Sequence, residues 1–237
     1  MSDYDDYDDY DYRYRDDYYY FKCDEKQVKR DFMNYADPKT KKIDSDGYEK
    51  MGKTLGIDIY TDIFITYFIY KCGAKKLDYI TESEYIEGMK AFKCNNLGDI
   101  RSKMINIRGE LLEIHSNDFR NFYNFLFDIN VGGDQIKRKE KYLPMDEVEI
   151  YFKSLFCEQF PIVGEFLTYL KETNKNGLKW DEWRTFLDFV QAQGLSFPKD
   201  YNMAEYFPIL IDEFYKWYCN KKGIKIKDPN QEEEEED

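Results

Sequence analysis

The sequence has one histidine, His115, and five cysteines, none of them in a C-x-x-C pair. A cysteine–histidine nucleophilic pair needs a thiolate beside a base, and no cysteine here stands in such a context. Structural zinc asks for four Cys or His ligands in close pairs, whereas Cys23, Cys72, Cys94, Cys157 and Cys219 are scattered along the chain. Their odd number and wide spacing read as buried thiols in a reducing compartment. The glycine patterns G-x-x-x-x-G-K-[ST] and G-x-G-x-x-G are missing, so no phosphate cradle is expected. There is no apolar run of about 18 residues and no apolar segment after a basic start. The expectation is therefore a soluble intracellular protein of the cytoplasm or nucleus. It should be monomeric, with no cofactor, no bound metal, and neither nucleic acid nor membrane as partner.

The formal net charge of −13 is unevenly placed. Residues 1–20 hold eight Asp against Arg13 and Arg15, and residues 232–237 are all acidic. The interior between them is close to neutral, so charged recognition must come from local clusters. The Asp/Tyr segment has neither helical nor alternating period and reads as a solvated arm over 1–25. Residues 224–237 read as an acidic tail.

Between these ends, apolar residues recur at steps of three and four, which predicts helices. Val28, Phe32 and Tyr35 mark one, stopped before Pro38; Tyr48, Met51 and Leu55 mark another. Ile63 to Cys72 is apolar nearly all round and ends at Gly73, which predicts a central buried helix. Thr81 with Glu84 is a capping box for a helix through Tyr85, Met89 and Phe92. Leu97 through Ile114 reads as one long amphipathic helix, followed by Phe119 to Ile129. Strand signals are scarce. The glycines and mixed charge of Asn130 to Tyr142 make the best internal boundary, dividing a subdomain over 26–130 from one over 143–223. In the second, helices are expected around Val148 to Leu155, Ile162 to Leu170, Trp183 to Val190 (closed by Gly194) and Leu210 to Tyr218. Pro208 suits the first turn of the last. Asp181 is expected to N-cap the third.

Asp44-Ser45-Asp46-Gly47 and Asn174-Lys175-Asn176-Gly177 resemble the middle of EF-hand loops. The ligand positions argue against calcium. With Gly47 at loop position six, positions one and twelve are Lys42 and Lys53; with Gly177 there, they are Glu172 and Trp183. What remains is helix–loop–helix pairing without metal. A calcium-responsive regulator and an unrelated helical adaptor stay open as alternatives.

Two stretches carry a family resemblance. One is Glu84-Tyr85-Ile86-Glu87-Gly88-Met89. The other runs from Asp181-Glu182-Trp183 through Leu187-Asp188-Phe189 to Phe207-Pro208-Ile209-Leu210-Ile211-Asp212-Glu213-Phe214. With Phe122-Tyr123 and Tyr151-Phe152 between them, the region from about Val28 to Trp217 resembles the potentiating-neddylation domain of the defective-in-cullin-neddylation family. The resemblance implies an all-α fold of two EF-hand-like helical subdomains packed as one metal-free unit. It also implies a non-catalytic co-ligase that binds the winged-helix end of a cullin and the acetylated N-terminus of the neddylation conjugating enzyme, beside a RING ligase. By the same resemblance, Asp181 and Asp212 would form the cullin-facing patch, with Glu182, Glu213 and Tyr206 as neighbours. Ile65, Phe68, Ile69, Cys72 and Ile80 would line the conjugating-enzyme pocket, closed by Ile129 and Tyr151. Two departures stand out. The Asp/Tyr arm occupies the place of the ubiquitin-binding module of many members, and Tyr206 stands where the family's patch has an alanine, unless a one-residue shift brings Ala204 there.

Overall fold

The computed structural model describes residues 21–132, 140–199, 201 and 209–226. Its secondary structure is mostly helical, with four very short strands among the described residues. None of the described helices is long and apolar enough to cross a membrane.

The first half is built on two helix–strand–helix units. Helix α1 (Glu25–Tyr35) starts where the Asp24 carboxylate accepts from the Gln27 N–H and buries Val28, Phe32 and Tyr35. Strand β1 (Lys42–Ile43) leads into α2 (Ser45–Leu55), which Gly56 ends at φ +76°, a left-handed conformation that glycine adopts without strain. Helix α3 (Phe64–Lys71), strand β2 (Ile80–Thr81) and α4 (Glu82–Ala91) repeat the plan. The expected capping box is formed: the Thr81 hydroxyl accepts from the Glu84 N–H at 3.4 Å, and the Glu84 carboxylate accepts from the Thr81 N–H at 2.8 Å. Strands β1 and β2 are antiparallel, with Ile43 opposite Ile80.

The single helix expected over Leu97 to Ile114 is two, α5 (Leu97–Ser102) and α6 (Met104–Leu111). The apolar stripe is continuous across the break, so periodicity cannot register it. The backbone is diverted because the Ser102 hydroxyl bonds back to the Asp99 carbonyl at 2.7 Å and the Lys103 N–H is shared between the carbonyls of Asp99 and Ile100. Helix α7 (Asn117–Val131) follows, capped by the Ser116 hydroxyl.

The second half has the same plan. Strand β3 (Tyr142–Pro144) leads into α8 (Met145–Leu155), and α9 (Ile162–Glu172), β4 (Gly177–Lys179) and α10 (Trp180–Gln193) complete it before α11 (Ile209–Lys222). Strands β3 and β4 pair antiparallel with Leu143 opposite Leu178. A Cβ at Gly177 would collide with the Leu143 carbonyl, so the ladder needs glycine there. Gly194 follows α10 as expected but in right-handed conformation; it is required because a Cβ would lie 2.7 Å from both a Phe160 ring carbon and the Val190 carbonyl.

One hydrophobic core spans both halves. Adjacent residues of α7 serve its two sides. Phe122 meets Tyr67 of α3 edge-on at 5.0 Å, and Tyr123 stacks on Trp183 of α10 at 4.1 Å. Beyond Trp183, Phe152, Phe186 and Phe166 form a continuous stack with centroids 4.2 and 4.6 Å apart.

Candidate functional site

The expected cullin-facing residues lie in the first turns of α10 and α11, where carboxylates complement the positive end of a helix. Asp181 is exposed at the second position of α10 rather than capping it. The helix starts two residues earlier than expected, and the capping contact is the Glu182 carboxylate accepting from the Lys179 N–H at 2.8 Å. Glu182 also pairs with Lys175, so it is occupied by its own loop while Asp181 faces solvent. Asp212 is half-buried and accepts a 2.5 Å hydrogen bond from the Tyr201 hydroxyl. That partner was missed from sequence, where Asp212 reads as a solvated face, because the two lie eleven positions apart and no short-range spacing links them. Glu213 is exposed and accepts from the Tyr169 hydroxyl at 3.3 Å; burial, with Glu213 adding to it, pushes that hydroxyl up to about 12. Tyr206 and Ala204 lie outside the described residues.

The residues expected to line the conjugating-enzyme pocket are interior. Ile65, Phe68, Ile69, Cys72 and Ile80 are buried. Phe68 stacks on Phe92 at 5.6 Å and tilts against Tyr85 at 5.7 Å. The Cys72 sulfur packs against Gly88 where a Cβ would stand 2.4 Å from it, and burial pushes this thiol well up. Ile80 is held by its pairing with Ile43. Tyr151 is buried, accepts from the Asn130 amide at 2.8 Å and meets Trp183 edge-on at 6.3 Å, while Ile129 is half-buried. The first five share one packed region of the first half; Tyr151 packs on the far side of α7.

Sequence reasoning also missed an open cleft of about 240 Å³, lined by Asp58, Thr61, Asp62, Ile63, Arg108 and Ser154. It forms where the loop before α3 meets α6 and α8, and no sequence period marks it. Arg108 pairs with Asp62 across it and lies 5.7 Å from the Phe64 ring. Between α3 and α7, Asp118 in the first turn of α7 accepts from Lys71 at 2.7 Å, Tyr67 at 3.0 Å and Tyr70 at 3.2 Å. Partial burial pushes the Asp118 carboxyl up, but the Lys71 ammonium and the two hydroxyls outweigh it and hold it below its ordinary range. No group of three or more His, Cys, Asp or Glu side chains is arranged to hold a metal among the described residues.

Residues 99–217, half of the chain, match the family described as cullin binding. The chain is 25% identical to DCN1-like protein 5 of Rattus norvegicus over 186 residues, which cover 78% of this chain and 74% of that protein. It is 21% identical over 187 residues to DCN1-like protein 4 of Drosophila melanogaster, covering 78% and 72% of the two chains. A shorter match of 152 residues, 24% identical, joins it to DCN1-like protein 2 of Dictyostelium discoideum, with 64% and 54% covered. The matched segment holds α6 to α10 and most of α11, including both acidic helix starts, and defines a cullin-binding helical protein. The chain belongs to the DCN1-like, defective-in-cullin-neddylation family and has its role in cullin neddylation.

Proposed function

We propose that this protein is a scaffold-type co-ligase for cullin neddylation. It holds the C-terminal winged-helix region of a cullin against the first turns of α10 and α11, and the acetylated N-terminus of the conjugating enzyme against the first half, with a RING subunit in the same complex. The observation that carries the reading is the cullin-binding match over 99–217, which contains Asp181 and Asp212. We read each pair of helix–strand–helix units as EF-hand-like.

The mechanism is proximity. Bringing a charged conjugating enzyme and a target lysine onto one rigid body raises their effective concentration and limits their orientations, with no side chain of the scaffold entering the reaction. An acetylated terminus suits the apolar surroundings of Ile65, Phe68, Ile69, Cys72 and Ile80, because acetylation removes a charge whose desolvation opposes burial. These side chains are packed in the free protein, so the terminus enters by displacing some of them.

The test is a reconstituted neddylation reaction with purified cullin C-terminal domain, conjugating enzyme and RING subunit. Adding this protein should raise the rate, and calorimetry should detect its binding to the cullin domain alone. An unchanged rate together with no cullin binding would refute the proposal.

A further inference from the structure

Five lysines flank the β1–β2 ladder. The chain enters β1 from the loop over 36–41 and enters β2, which runs antiparallel to it, from the loop over 72–79. Lys39 and Lys41 therefore precede one end of the ladder and Lys75 and Lys76 the other, and all four are exposed. Lys42 sits between them, its ammonium 3.6 Å from the centre of the Tyr79 ring. None of the five has a carboxylate partner among the described residues. The acids nearby are otherwise engaged. Asp37 accepts from the N–H groups of Lys39 and Thr40, Asp44 accepts from that of Gly47, Glu84 belongs to the capping box of α4, and Glu82 pairs with Lys29 at 3.2 Å. Asp78 is exposed and offsets one of the five charges. Lys26 and Arg30 extend the surface: they stand one turn apart on α1, exposed and likewise without a carboxylate partner among the described residues. Like charges left unpaired on one surface repel, so an anion arriving there relieves a cost that the bare surface carries.

The chain itself supplies matching chemistry. Residues 3–20 hold eight Asp and eight Tyr against Arg13 and Arg15. A carboxylate answers the charge of a lysine, and a phenol ring answers its cationic face and apolar stem, a contact already made here between Lys42 and Tyr79. The segment joins the fold at Phe21, just ahead of α1, and Lys26 and Arg30 lie between that point and the first lysine loop. An α-helix the length of α1 spans about 16 Å. The segment, if extended, reaches up to about 60 Å, enough to turn back along α1 and cross both loops. Exposed ion pairs are individually weak, but tethering holds the segment at an effective concentration on the order of millimolar, which a separate acidic partner would have to match.

We propose that residues 3–20 dock on this lysine surface of their own chain, with aspartates pairing to Lys39, Lys41, Lys75 and Lys76. The inference does not depend on the co-ligase reading and is tested on the protein alone.

The experiment uses the full 237-residue chain. A carbodiimide joins carboxylates to amines only where they touch, and mixing isotopically light and heavy protein separates links within one chain from links between copies. Mass spectrometry should find links from residues 3–17 to the four exposed loop lysines, within one chain, and these should vanish in about 1 M salt, where charges are screened beyond about 3 Å. A second full-length protein carries Asp3→Asn, Asp5→Asn, Asp6→Asn, Asp8→Asn, Asp9→Asn and Asp11→Asn, which neutralises the segment. At low salt an amine-reactive label should modify the loop lysines about two- to fivefold more slowly in the parent than in this variant, while the exposed Lys179 and Lys216 of the second half react equally in both. Equal labelling of the loop lysines in the two proteins would overturn the proposal, as would protection spread evenly over Lys179 and Lys216. Links found only between copies would assign the surface to a second molecule, and links only from residues 232–237 would assign it to the acidic tail; either result would also overturn it.

Discussion

Tyr123 and Trp183 hold each other by two reciprocal hydrogen bonds. The Tyr123 hydroxyl donates to the Trp183 carbonyl at 2.8 Å, the Trp183 indole N–H donates to the Tyr123 carbonyl at 3.0 Å, and the rings stack between them at 6°. Each ring brings one polar atom into the core, and each polar atom is matched by the other residue's backbone. The pair ties α7 to α10 and so anchors the helix whose first turn carries Asp181.

Tyr123→Phe removes one donor and keeps the stack, so it should cost about 1 kcal/mol in a denaturant titration. Trp183→Phe should cost more, because stacked area is lost with the second donor. The two losses should not add in the double variant, since the residues are in direct contact. Strict additivity would show that the pair is not coupled.

The glycines divide into two groups. Gly177→Ala should destabilise strongly, since the added methyl meets the Leu143 backbone. Gly164, exposed on α9 with nothing within 4 Å of an added Cβ, should behave in the opposite way. Gly164→Ala should raise stability by about 0.5–1 kcal/mol through helix propensity. Thermal melts of the two variants check both signs.

Asp118 gives a pH dependence of defined sign. Its carboxyl titrates below its unfolded value of about 3.9. The stability it confers is thus fully present above that value and is lost as pH falls through the lower folded value. Asp118→Asn should be less stable than the parent at neutral pH, and the gap should close in acid. A gap that stays constant from neutral to strongly acid pH would contradict the assignment. The effect is moderate, because the side chain is 42% exposed and solvent screens its pairing with Lys71.

Cullin affinity should fall at least about tenfold for Asp181→Arg, with circular dichroism unchanged, if this exposed carboxylate meets a basic surface. Asp212 needs a gentler probe because it also holds Tyr201. Asp212→Asn keeps an acceptor for the Tyr201 hydroxyl and removes the charge, so it should weaken cullin binding with little loss of stability. Tyr201→Phe should do the reverse, costing about 1 kcal/mol of stability and leaving cullin affinity intact. Equal cullin binding by Asp181→Arg, Asp212→Asn and the parent would move the interface elsewhere.

The helices were legible because each buries one stripe at helical spacing, as Val28, Phe32 and Tyr35 do on α1. Local capping was legible at Thr81 and Glu84, where both partners lie within one turn. Ladders of two or three residues carry too few alternations to read, and the break at Lys103 depends on a serine hydroxyl bonding its own backbone. The acidic helix starts could be found from motif order, but the Tyr201 contact with Asp212 could not. Nor could the full burial of Phe68 and Cys72 be told from the lining of an open site, since an apolar stripe is the same signal for both.

Helix α7 sets the cooperativity of the whole protein. Phe122 and Phe125 complete the aromatic layer of the first half against Tyr67 and Tyr70, while Phe119, Tyr123 and Phe127 complete that of the second against Phe156, Trp183 and Trp180. Melting either half strips one wall from the same helix and leaves its aromatic rings in water, so neither half retains a closed core when the other is lost. The protein should therefore unfold in one transition, with tryptophan fluorescence from the second half and helical signal from both changing at the same denaturant concentration. A partner bound to α10 alone would then raise the unfolding free energy of α3 and its surroundings by the same amount as its own site.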